Sequence, residues 1–141
     1  MRAVTLLWTA ILLVIVSTRA QTPPKTTFPK PVHSDLPTYP ELARYARIVG
    51  TVKLWFMIDD SGAVTQTGTI SGNPILRDAA LTVVKSWKFQ SNDIKPNVRY
   101  ETEFIYDIKS QPQPGEPKLT VSMTDLRRVE VVSEIYTPTT Y

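Results

Sequence analysis

No cysteine occurs in the 141 residues, and histidine occurs once, at His33. The first absence excludes disulfide staples and thiolate chemistry, so a packed core alone has to hold the fold. Together the two absences leave no ligand set for a structural zinc site. Glycine is scarce at five residues, so flexible low-complexity tracts are excluded. Neither sign of charge dominates, with 16 basic against 13 acidic side chains. No apolar run reaches the roughly 20 residues that a membrane-spanning helix needs. What remains is a chain with 42% hydrophobic and 21% charged residues, the balance of a globular domain with a modest core.

The first 20 residues read as an export signal. Arg2 precedes an apolar stretch from Ala3 to Val16, and Thr18-Arg19-Ala20 offers small residues before Gln21. Cleavage after Ala20 is the preferred reading, with an uncleaved membrane anchor as the alternative. Without Arg2 and Arg19, 14 basic side chains face 13 acidic ones. That balance removes the electrostatic basis for nucleic-acid binding. Residues 21–38 form a proline-rich linker with Pro23, Pro24, Pro29, Pro31 and Pro37, expected to be extended and semi-rigid.

The body begins at Tyr39. A first helix is expected over 39–47, with Pro40 in its first turn and Thr38 and Glu41 at capping-box spacing. Leu42, Ala43 and Ala46 would form its apolar face, with Gly50 as its stop. Val52, Leu54, Phe56 and Ile58 alternate with Thr51, Lys53, Trp55 and Met57, which predicts a strand. Asp59-Asp60-Ser61-Gly62 is a hairpin loop leading to a second strand over 63–70. Asn73 and Pro74 open a second helix, whose apolar stripe is Leu76, Ala79, Ala80, Val83 and Trp87. A third strand is expected over 99–109, with Tyr100, Thr102, Phe104, Tyr106 and Ile108 on one face. Trp87 and Phe104 belong in the core, while Trp55 and Tyr106 fit a sheet rim. The order is α+β, two helices packed on a three-stranded antiparallel sheet. Residues 110–141 are a C-terminal extension that alternates as a strand hairpin, since three valines in four residues favour strand over helix.

No constellation carries catalysis. Asp59-Asp60 lies on a tight turn without the later oxygen ligands of a calcium loop. Ser61, Ser71, Ser86 and Ser91 have only His33 as a base, and it sits in the linker. Arg127-Arg128 and the helix start at Ser71-Gly72-Asn73 read as a solvated strand end and a simple cap. The chain is expected to be no enzyme and to need no cofactor and no metal.

Five short segments, in order and at their spacing, resemble one family. They are Tyr39-Pro40-Glu41-Leu42-Ala43, Gly50-Thr51-Val52, Ile58 to Val64 around Gly62, Ser71-Gly72-Asn73-Pro74-Ile75-Leu76 and Trp87-Lys88-Phe89. The stretch from Tyr39 to Ile108 looks like a TonB C-terminal domain, assigned here to residues 39–109. The resemblance implies a periplasmic binding module of Gram-negative bacteria that takes an extended segment of an outer-membrane receptor or other envelope protein as an added strand. It places that event on the edge of the third strand, at Tyr100, Thr102, Phe104, Tyr106 and Ile108. It makes Tyr39, Pro40, Gly50, Gly62, Asn73, Pro74 and Trp87 structural motif residues. It also implies a link to TonB-dependent transport. The short N-terminal segment and brief spacer depart from the family's energy transducers. A membrane-anchored transducer, a structural envelope protein and a homodimer stay open. Val129-Glu130-Val131-Val132-Ser133 resembles the acidic, valine-rich segments this family binds, so the extension is a candidate to fold back on that edge.

Overall fold

The computed structural model describes residues 27–95 and 97–138. Residues 1–26, which hold the expected export signal and the first third of the linker, lie outside the described residues. The described elements are β1 (Pro31–His33), α1 (Glu41–Tyr45), β2 (Gly50–Ile58), β3 (Val64–Ser71), α2 (Pro74–Ser86), β4 (Lys88–Phe89), a 3-10 turn (Ser91–Asp93), β5 (Arg99–Gln111), β6 (Lys118–Asp125) and β7 (Arg128–Tyr136).

The expected three-stranded antiparallel sheet is a mixed five-stranded one, in the order β3-β2-β5-β7-β6, beside a two-stranded sheet of β1 and β4. The strands β2, β3 and β5 pair antiparallel as expected, and the added hairpin β6–β7 docks with β7 parallel to β5. The alternation in 118–136 specified strands. It carried no information on which strand of the hairpin would sit inside or in which direction.

Helices cover one face. Val52, Leu54, Phe56 and Ile58 of β2 meet Leu76, Ala80, Val83 and Val84 of α2 in a single core. Asn73 caps α2 as its sequence suggests, its side-chain oxygen accepting from the Ile75 N–H at 2.9 Å, with Pro74 following. Trp87 is fully buried and stacks on Phe104, while Phe56 stacks on Phe89 and Tyr100. These offset and edge contacts each add about 0.5–1.5 kcal/mol beyond simple burial.

The first helix is shorter than expected. It runs from Glu41 to Tyr45, begins after Pro40 and has no side-chain cap, so the Thr38–Glu41 capping box does not form. It ends through Arg47 in the left-handed region, and Gly50 instead opens β2. Leu42 points outward and Ala46 is exposed. One turn of helix can aim few side chains inward, and Tyr39 supplies the apolar mass from just before it. Its ring packs edge-on against Tyr106 at 5.3 Å, and its hydroxyl donates to the Ile48 carbonyl at 2.6 Å.

The end of the linker is part of the domain. Phe28 packs against Phe56, Phe89 and Tyr100, Pro29 and Pro37 are fully buried, and β1 pairs with β4. Proline enrichment predicts extended backbone correctly, but extended backbone serves equally as spacer or as edge strand. His33 remains exposed and lies 3.1 Å from Asp35.

The β2–β3 hairpin is held by Asp59. Its Oδ1 accepts from the Ser61 N–H, the Ser61 hydroxyl and the Ala63 N–H at 2.9, 2.6 and 3.0 Å. Gly62 has φ +89°, and a Cβ there would sit 2.0 Å from the Phe89 carbonyl oxygen, so both the turn and the close approach require glycine.

Candidate functional site

Strand β5 is the middle strand of the five-stranded sheet. On one side it pairs with β2 from Arg99 to Tyr106, and on the other with β7 from Glu103 to Gln111. Its alternation puts Tyr100, Thr102, Phe104 and Tyr106 in the buried face, with Ile108 half-buried at its end. Tyr106, expected at a rim, is fully enclosed because β7 extends the sheet past it. Burial of its ring, followed by the proximity of Tyr39, pushes its phenol well above the ordinary range. Trp55 takes the rim-like position instead, half-buried on the open face with the Arg99 guanidinium 4.6 Å from its ring centre.

The edge of β5 that faces away from β2 therefore already carries a strand. In register, Phe104 lies beside Val129, Tyr106 beside Val131 and Ile108 beside Ser133. Val129 and Val131 are fully buried, and Leu126 nearly so. Burial of three such side chains contributes about 1.5–3 kcal/mol each. The entry to β7 is fixed as well. The Thr102 hydroxyl donates to the Leu126 carbonyl, and the Glu103 N–H donates to the Arg127 carbonyl at 2.8 Å. On the open face Arg128 reaches Glu103 at 2.9 Å and Glu130 at 3.1 Å. These exposed pairs add little stability, although they do fix register.

Two side chains on this seam, Tyr106 and Ser133, have buried hydroxyls that are poorly satisfied. The Ser133 hydroxyl is buried and has no hydrogen-bond partner among the described residues. Such a group costs about 1–3 kcal/mol relative to a satisfied or apolar one.

Among the described residues no cluster of three His, Asp or Glu side chains is placed to hold a metal. The remaining motif residues are structural: Tyr39, Gly62, Asn73, Pro74 and Trp87 set packing, a turn and a cap, as described above.

The model of the Gram-negative bacterial TonB protein C-terminal region matches residues 35–108. The chain belongs to the TonB C-terminal domain family. Domains of this family are non-catalytic interaction modules, and their setting is the envelope of Gram-negative bacteria. A solution structure of the Pseudomonas aeruginosa TonB C-terminal domain aligns at 23% identity with a TM-score of 0.44, over 54% of this chain and 82% of that one. No curated protein matches the sequence. The family match ends at residue 108, inside β5, so the hairpin β6–β7 lies wholly beyond the matched segment. No helix among the described residues is long and apolar enough to cross a membrane.

Sequence reasoning identified the strand at issue and offered Val129–Ser133 as a candidate to cover it, without deciding between that and a plain extra hairpin. The signal was present in Val129, Val131 and Ser133, whose spacing matches a strand with one buried face. Nothing in the spacing tells a parallel neighbour of β5 from a free-standing hairpin.

Proposed function

We propose that the chain is a non-catalytic periplasmic module that recognises an extended segment of an outer-membrane receptor or other envelope protein by strand addition at β5. In this reading β7 is the resident occupant of the acceptor edge, and a partner segment binds by taking its place. The observation that carries the reading is the β5–β7 ladder itself, which supports β5 as an acceptor for a parallel strand. It also supplies a template for the partner. A competing segment needs small β-branched side chains at alternate positions to cover Phe104 and Tyr106, with acidic or polar residues between them, as Glu130 stands between Val129 and Val131. A segment of that pattern restores the burial lost when β7 leaves, which is what makes exchange affordable.

The cysteine-free sequence allows a direct test. Ile105 and Glu130 are register partners with side chains on the open face. Ile105→Cys with Glu130→Cys places two thiols at a separation suited to a disulfide. Receptor-derived peptides are then titrated against the oxidised and reduced forms. Binding to the reduced form and its loss on oxidation is the expected result. Equal binding to both forms would remove β5 as the acceptor.

The covered edge favours a second reading, a structural envelope protein whose sheet is complete without a partner. Failure of both forms to bind any receptor-derived segment, with the fold intact by circular dichroism, would support it over strand exchange.

A further inference from the structure

With β7 in place, the sheet ends at β6 on one side and β3 on the other. Edge strands present unpaired backbone N–H and C=O groups, and proteins usually blunt them with charge, proline or bulges. The register of β3 against β2 shifts twice, near Lys53/Leu54 and Met57/Ile58, which breaks its outer edge into short pieces. Strand β6 is different. From Lys118 to Ser122 it runs in unbroken register with β7, its one shift falls between Ser122 and Asp125, and residues 119–124 carry no charge, proline or glycine. Leu119 is 45% exposed at the outermost position of the helix-covered face.

We propose that two copies of this chain associate through β6, pairing antiparallel about a two-fold axis at Val121. The self-complementarity of the strand selects this occupant. With the axis at Val121, Leu119 of one copy stands opposite Met123 of the other, and Thr120 stands opposite Ser122. The apolar row Leu119, Val121 and Met123 then continues across the seam on one face, and hydroxyls meet on the other. Charge agrees. Lys118 and Asp125 both stand on the open face, as register partners of Glu134 and Arg128. Antiparallel pairing brings the Lys118 end of one strand to the Asp125 end of the other, whereas a parallel arrangement would align like charges. The contact is isologous and closes at two copies, which turns an otherwise aggregation-prone edge into a defined interface. A single strand pair is small beside a standard protein interface, so the dimer is reversible and concentration-dependent.

Sedimentation velocity of the full chain across a concentration series reads the association. Thr120→Lys with Ser122→Lys changes only exposed positions and sets ammonium groups against each other at the seam. It is expected to weaken self-association at least about tenfold, the effect of roughly 1.4 kcal/mol. Thr120→Glu with Ser122→Glu is expected to do the same, and an equimolar mixture of the two variants to form a heterodimer. A chain that stays monomeric throughout overturns the proposal, as does a lysine variant that dimerises like the unsubstituted chain. Absence of a heterodimer in the mixture also counts against it. None of these readouts depends on whether a partner segment binds β5.

Discussion

The indole of Trp55 lies over Gly68, its partner across the β2–β3 ladder, so closely that a Cβ at residue 68 would fall 2.4 Å from the ring. Glycine here serves close approach rather than turn geometry. Gly68→Ala should push the ring off the strand and away from Arg99, at a cost of about 1–3 kcal/mol. Urea unfolding and the emission of Trp55 would read the change. An unaltered midpoint and spectrum would mean that the ring is not seated there.

Ser133→Ala removes a buried hydroxyl without a partner. It is expected to stabilise the chain by about 1 kcal/mol. If β7 must leave for a partner to bind, the same change weakens binding about fivefold, because only the closed form gains. Stabilisation with unchanged affinity would separate the seam from recognition.

Alkaline pH should loosen the packing of α1 on the sheet. Burial, with a smaller contribution from the Asp107 charge, pushes the Tyr39 phenol up to about 12, and Tyr106 is raised as well. Both groups bind their protons more tightly in the folded chain. Their contribution is intact below about pH 10, the ordinary tyrosine value, and is lost as pH rises through the folded values. Tyr39→Phe should lower stability at neutral pH by about 1 kcal/mol, the worth of its bond to Ile48, and make the alkaline decline shallower. Equal declines in both proteins between about pH 9 and 12, measured by denaturant titration, would argue against the assignment.

Acid should act on the opposite end of the sheet. Hydrogen bonds from Ser61 and Ala63 hold the Asp59 carboxyl below the usual carboxylate range. Its contribution is present above the unfolded pKa and is lost as pH falls through the lower folded value. Asp59→Asn should therefore flatten the acid limb of the stability curve and raise amide exchange in 59–63. Unchanged exchange in that loop would show that the carboxylate does not order it.

Local chemistry was the legible part of the sequence. Asn73-Pro74 specified a helix start, and the alternation in β2 and β5 specified their buried faces. The hairpin at Asp59 to Gly62 was equally explicit, because turns and caps depend on neighbours in sequence. The capping box at Thr38 was misleading because the following helix is a single turn whose position is set by Tyr39 packing on Tyr106. The candidate edge was legible as a strand and illegible as an edge. Whether Phe104 and Tyr106 face a vacancy or Val129 and Val131 depends on a pairing between residues about 25 positions apart, and alternation is silent on pairing.

The parallel return of β7 also orders events in time. The chain leaves β5, lays down β6 at what becomes the outer boundary, and only then inserts β7 between them. Until Arg128–Tyr136 has been synthesised, β5 has no neighbour on that side and β6 has none at all. The interval between the appearance of β5 and that of β7 is thus a window of vulnerability, when the nascent sheet is most open to wrong strands and to chaperones.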